Sequence, residues 1–185
     1  MALPVMTSSV PENGTERMAE AASQIEGEIL VSVFGDEALV APRSIDLVVG
    51  ALHEDPTLNV AILVNPFTRR GSPSDIKVVL DREGYVRYLS RADIPSDARS
   101  PGAPMLKAYH VLPFRKDFLL DYASWEPGQL EQVEMVEHLR ILERGHRMKA
   151  VHVESSAVSV DTPEDLEYVR SQMLDDPLFP LYRDG

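Results

Sequence analysis

Cysteine is missing from this sequence, which excludes disulfides and thiolate metal sites and fits a cytoplasmic protein. Cations are scarce: 18 Lys and Arg stand against 30 Asp and Glu, a formal net charge of -12. Such a chain repels a nucleic-acid backbone or an anionic membrane, and no basic patch interrupts the excess, so neither is expected as a partner. Long apolar runs are absent too. No stretch approaches membrane-spanning length, and the first residues carry no basic segment followed by an apolar core of the kind that directs export. There is no Gly-x-Ser-x-Gly elbow, His-Glu-x-x-His pair, dinucleotide-binding glycine fingerprint or internal repeat.

What is present reads as one α/β domain over residues 1–174 followed by a short tail, 175–185, since 185 residues bury one substantial core. The apolar spacing predicts helices over 16–25, 43–53, 116–123, 129–144 and 163–174, and strands over 29–33, 58–64, 76–80, 85–89, 105–114 and 147–153. Their early alternation suggests a parallel sheet. Asp81-Arg82-Glu83-Gly84 has the composition of a hairpin turn, with glycine where a positive φ is needed. The tail carries Leu178, Phe179, Leu181 and Tyr182 and is expected to pack on its own domain.

Two aspartates stand where chemistry is usually placed. Asp36, in Phe34-Gly35-Asp36-Glu37, closes an apolar strand at its carboxyl end, the ligand-binding edge of open α/β sheets. Asp161 precedes Thr162-Pro163-Glu164-Asp165, where Thr162 reads as a helix N-cap, Pro163 as the first helical residue and Asp165 as the capping-box partner. Two such carboxylates suit a magnesium ion shared with a phosphate-bearing substrate; each alone also reads as a plain turn or capping aspartate.

Five stretches then carry a family resemblance: residues 13–20 (NGTERMAE), 35–37 (GDE), 76–92 (IKVVLD through SRA), 130–140 (LE through EMVE to LR) and 160–166 (VDTPEDL). In this order they resemble the CMP-KDO synthetases, the 3-deoxy-manno-octulosonate cytidylyltransferases. The resemblance implies a nucleotide-diphosphosugar-transferase, Rossmann-like sheet with flanking helices and a β-hairpin dimerisation arm. It also implies a homodimer, and magnesium-assisted attack of a sugar hydroxyl on the α-phosphate of CTP. Asp36 and Asp161 match the family's metal-binding aspartates, and Gly14, Thr15 and Arg17 its nucleotide-contacting segment.

The chain departs from that pattern in two places. The family's opening strand, its phosphate-holding loop and a further βα unit have no counterpart here, so the edge of strand 29–33 is expected to need cover from residues 2–6 or from a partner subunit. In the sugar pocket, Phe34 stands for a glutamine, Ala108 and Leu112 for a histidine and a tyrosine, and Glu137-His138 for a Glu-Gln pair, while His110 enters between Ala108 and Leu112 on one strand face. A cavity lined by Asp36, Asp161, His110 and His138 suits general acid/base work or a metal other than magnesium. The plainer alternative packs His110 in a strand and pairs His138 with Glu134 one helical turn away.

Three functions follow. The first is an enzyme remodelled for a small anionic or carbonyl-bearing metabolite, without stand-alone cytidylyl transfer to KDO. The second is a CTP-dependent transferase for another acceptor, its missing unit supplied elsewhere, and the third is a non-catalytic dimerising subunit.

Overall fold

The computed structural model describes residues 4–154 and 158–180. In chain order the elements are α1 (Gly14–Ala22), β1 (Ile29–Val33), α2 (Pro42–Glu54), β2 (Ala61–Phe67), β3 (Lys77–Leu80), β4 (Val86–Ser90), β5 (Met105–Tyr109), β6 (Val111–Arg115), α3 (Lys116–Ala123), α4 (Gln129–Glu134), α5 (Leu139–Glu143), β7 (Lys149–His152) and α6 (Pro163–Leu174). Strands β4, β3, β5, β2 and β7 form one sheet in that order, and β1 and β6 pair as a second.

β2 organises the molecule. Its side chains alternate between faces, as the pleat requires: Ile62 and Val64 enter a core with Ala19, Phe118 and Leu139, while Ala61 and Leu63 enter another with Val48, Leu52 and Tyr109. Burial on both faces explains why this strand reads as a continuous apolar run.

The expected parallel sheet is in fact mixed. Among the described residues only β2 and β7 run parallel; β2–β5, β3–β5, β3–β4 and β1–β6 are antiparallel. The helix–strand alternation holds only as far as β2. The hairpin formed by β3 and β4 then brings two strands with no helix between them, and antiparallel pairing is what a tight turn permits. At that turn Gly84 takes φ 78, and the Asp81 carboxylate accepts the N–H groups of Glu83 and Tyr85, each at 2.9 Å.

Two expected elements are broken. The strand over 105–114 divides at His110, where the chain leaves the five-stranded sheet for β1 and β6, a junction held by Phe34 N–H donating to the His110 carbonyl at 3.2 Å. The helix over 129–144 divides at Met135, which takes φ 53 and ψ 48 and closes α4. Arg91 supplies the reason: its guanidinium donates to the carbonyls of Glu134 (2.9 Å) and Met135 (3.0 Å), groups that a continuous helix would use internally. Among the described residues β1 pairs with β6 alone. Residues 4–6 form no strand over its other edge, and 2–3 lie outside the described residues. In the tail Leu178 and Phe179 are half-buried; Leu181 and Tyr182 lie outside the described residues.

Candidate functional site

Asp36 sits in the turn after β1, and its carbonyl accepts the N–H of Val160 at 3.0 Å, which brings the segment before α6 beside it. Asp161 follows directly. Thr162 and Asp165 form the predicted capping box, Asp165 N–H donating to Thr162 Oγ1 (3.1 Å) and Thr162 N–H to the Asp165 carboxylate (2.9 Å). The box fixes where α6 begins and leaves Asp161 just outside it, at the mouth of a cleft of about 280 Å³.

This cleft gathers Asp36, Asp161, His110, His138, Phe34 and Glu137, all expected from sequence, and adds Arg91 and Ser159. Phe34, His110 and His138 form an aromatic wall: the Phe34 and His110 rings stack at 5.0 Å, and the two imidazoles lie 6.1 Å apart. Glu37 stands behind it. One of its carboxylate oxygens accepts Ser159 Oγ at 2.9 Å and lies 3.5 Å from His110 Nδ1.

The break at Met135 turns Glu137 and His138 inward. Glu137 accepts the N–H groups of Gly14 (3.2 Å) and Thr15 (3.0 Å) and the Thr15 hydroxyl, so its charge is spent on the start of α1, which carries the positive end of the helix dipole. His138 lies 3.5 Å from Thr15 Oγ1 and does not pair with Glu134, as the plainer alternative had it. Glu134 instead accepts Ser90 Oγ (2.8 Å) and Arg91 N–H (3.0 Å). Ala108 and Leu112 are corrected as well. Both are buried in the main core, and of the three alternating positions only His110 reaches the cleft. Arg17 points elsewhere, donating to Thr7 Oγ1 at 2.7 Å and to the Ser8 carbonyl at 3.1 Å.

Burial pushes the His138 imidazole down to about 4, the Glu137 charge opposing the shift and His110 adding to it. Its folded value thus lies below the ordinary 6.5. The unfolded chain binds the extra proton first, so the contribution of His138 to stability is full above about pH 6.5, falls as pH drops and levels off near 4. His138→Gln is expected to flatten this acid limb of a urea-denaturation series between those limits; an unchanged limb would assign it to other groups.

Asp161 is shifted the other way, held above the usual carboxylate range by desolvation and then by the charge of Asp36, with Lys107 opposing. Asp36 Oδ1 is buried without a hydrogen-bond partner. Two neighbouring carboxylates, one with an unused oxygen, are a donor set that a hard divalent cation satisfies. Among the described residues no group of three or more His, Asp or Glu side chains is placed to hold a metal ion.

Sequence reasoning overlooked Arg91, Asn65 and Lys107. A detectable signal existed for two of them: Asn65 and Lys107 are polar residues inside apolar strands, and both are buried.

Residues 2–151 match the family model described as cytidylyltransferase. The chain belongs to the cytidylyltransferase family. It is 38% identical over 182 residues to the 3-deoxy-manno-octulosonate cytidylyltransferase of Geotalea uraniireducens (strain Rf4), covering 91% of this chain and 72% of the relative. The enzyme of the same description from Solibacter usitatus (strain Ellin6076) is 39% identical over 168 residues, covering 89% and 67%. Among solved structures, a CMP:2-keto-3-deoxy-manno-octonic acid synthetase complexed with CTP superposes with a TM-score of 0.85 at 31% identity, over 92% of this chain and 72% of that one. The 4-diphosphocytidyl-2C-methyl-D-erythritol synthase of Anaerococcus prevotii shares the fold, with a TM-score of 0.52 at 13% identity over 89% and 68%. The α/β sheet with flanking helices is thus the CMP-KDO synthetase fold. No helix among the described residues is long and apolar enough to cross a membrane.

Proposed function

We propose that the chain is a magnesium-dependent transferase of this family, that Asp36 and Asp161 serve a cytidylyl donor, and that its acceptor is a small anionic acid other than 3-deoxy-manno-octulosonate. The aromatic wall of Phe34, His110 and His138 carries the reading. It sets the apolar Phe34 ring and the buried His138 along this side of the cleft, which leaves a hydroxyl-rich sugar acid His110 as the one exposed hydrogen-bonding ring on the wall, and a wall with few partners discriminates against such a ligand. The magnesium ion, when bound, neutralises charge developing on the transferred phosphoryl group. Arg91, half-buried at the cleft, offers the acceptor's carboxylate a fixed positive charge, its guanidinium held by the carbonyls of Pro73, Glu134 and Met135. His110, backed by Glu37 and with a side chain 14% exposed against 3% for His138, is the more accessible of the two cleft imidazoles for taking the acceptor's proton.

Pyrophosphate release measured with CTP, magnesium and a panel of small keto and hydroxy acids tests the reading. Turnover is expected with a compact acid and not with 3-deoxy-manno-octulosonate. Formation of CMP-KDO at an enzyme-like rate would overturn the assignment of the acceptor. The paired Glu37 and His110 favour a second reading, acid/base chemistry on the bound acid without cytidylyl transfer; an acid consumed without CTP would select it.

A further inference from the structure

We infer that Ser159 is a positioning residue: through Glu37 it holds the proton of His110 on Nδ1, which leaves Nε2 with the lone pair of a general base. The inference deepens the role given to His110 above, and it concerns the tautomer alone, which is read without any substrate.

Glu37 is 2% exposed, and it divides its two oxygens unequally. Oε1 accepts the Ser159 hydroxyl at 2.9 Å and the His110 backbone N–H at 3.4 Å, and it stands 3.5 Å from His110 Nδ1. Oε2 is buried without a partner. A carboxylate free to turn would share its donors between both oxygens, because a buried oxygen left alone is costly. The shortest bond to the crowded oxygen comes from Ser159, so this hydroxyl holds Oε1 toward the imidazole.

The direction of that bond is forced. A second cavity, of about 410 Å³, adjoins the cleft and shares Ser74, Ser159 and Asp161 with it. Lys107 lines this cavity, and its ammonium reaches Ser159 Oγ at 3.4 Å. An ammonium only donates and a serine has a single hydroxyl proton, so Oγ accepts from Lys107 and donates to Glu37. Both ends are anchored. Lys107 is held by its ion pair with Asp75, and the chain at Ser159 by Val160 N–H, which donates to the Asp36 carbonyl at 3.0 Å.

Glu37 then decides the imidazole. A neutral histidine carries its proton on one ring nitrogen and a lone pair on the other, and the partner of one nitrogen selects the form. Glu37 Oε1 already accepts two donors, so a lone pair on Nδ1 would be repelled by it and an N–H attracted. Nε2 is left to accept, the form that general base catalysis requires. Stacking on Phe34 at 5.0 Å holds the ring plane.

Long-range proton–nitrogen correlation NMR on the full chain, at a pH where the histidines are neutral, reads the tautomer, and a His110→Gln spectrum picks its signals out of the 5 histidines. The Nδ1–H form is expected to predominate. Glu37→Leu is expected to lower the ratio of Nδ1–H to Nε2–H about tenfold, the worth of one hydrogen bond. Ser159→Ala is expected to lower it severalfold, and Ser159→Thr, which keeps the hydroxyl, to leave it near the parent's. Adding Ser159→Ala to Glu37→Leu is expected to change nothing more, as residues acting in series require. Ser159 is half-buried outside any helix or strand, so its two variants stand even if Glu37→Leu folds poorly. Arg147→Ala, at an exposed ion pair with Glu83, is expected to leave the ratio unchanged. A predominant Nε2–H form in the parent, or a Ser159→Ala protein that keeps the parent's ratio whatever its melting temperature, would overturn the inference. Absence of turnover with every acid tried would count against the transferase reading and leave the tautomer result untouched.

Discussion

Replacing Arg140 by methionine is expected to remove about 3–5 kcal/mol of folding stability, the cost of leaving a buried charge without its partner. Arg140 is 1% exposed on α5, and its guanidinium meets Glu131 through two parallel bonds of 2.6 and 2.7 Å. It also contacts Glu16 at 2.9 Å and the Trp125 carbonyl at 3.0 Å, and lies over the Tyr122 ring at 4.7 Å. One side chain therefore ties α1, the α3 exit, α4 and α5 into a single unit, although α4 and α5 have only 6 and 5 residues and would not persist alone. Burial opposes the guanidinium's charge, but its carboxylate partners hold its pKa above the ordinary value. The double variant Arg140→Met, Glu131→Leu is expected to regain more than half of the loss, since an apolar pair of similar volume costs less than a stranded carboxylate. Urea denaturation of the three proteins reads the cycle, and a single variant within about 1 kcal/mol of the parent, the range of an exposed pair, would show that the cluster is effectively solvated.

The parts of this arrangement legible from sequence are those set by neighbours along the chain. The Thr162–Asp165 capping box, the Asp81–Gly84 turn and the placing of Asp36 after β1 each depend on a few consecutive residues and formed as expected. The breaks at His110 and Met135 depend on distant groups. Nothing near Met135 announces that Arg91, remote in sequence, will take the carbonyls that a longer helix needs. Yet that break directs Glu137 to the start of α1 and His138 to the cleft. A similar long-range bond hides in Lys77, fully buried, whose ammonium donates to the carbonyls of Ser72, Asp75 and Arg91 and gathers the loops beside both cavities. Ala108 and Leu112 show the converse. Strand alternation put them on one face with His110, but the strand divides at His110 between two sheets, and the main core covers Ala108 and Leu112.

Asp36→Asn and Asp161→Asn are expected to lower turnover by about 10²–10³-fold each, the scale of removing one electrostatic contact to a developing charge in a partly enclosed site. Each change keeps the side chain's shape and deletes one of the two charges available to a cation. The metal-free proteins should behave otherwise. Asp161 is held above the usual carboxylate range by desolvation and by Asp36, so its ionised form opposes folding, and that opposition grows as pH rises through its pKa. Removing the charge should therefore leave metal-free stability at neutral pH unchanged or slightly higher, while abolishing any magnesium-dependent rise in melting temperature. This opposed pair of outcomes separates a cation site from a structural pair of aspartates. Thermal melts with and without magnesium, beside the pyrophosphate assay, decide it: variants that lose metal-free stability but keep the magnesium response would return Asp36 and Asp161 to the role of turn and capping residues.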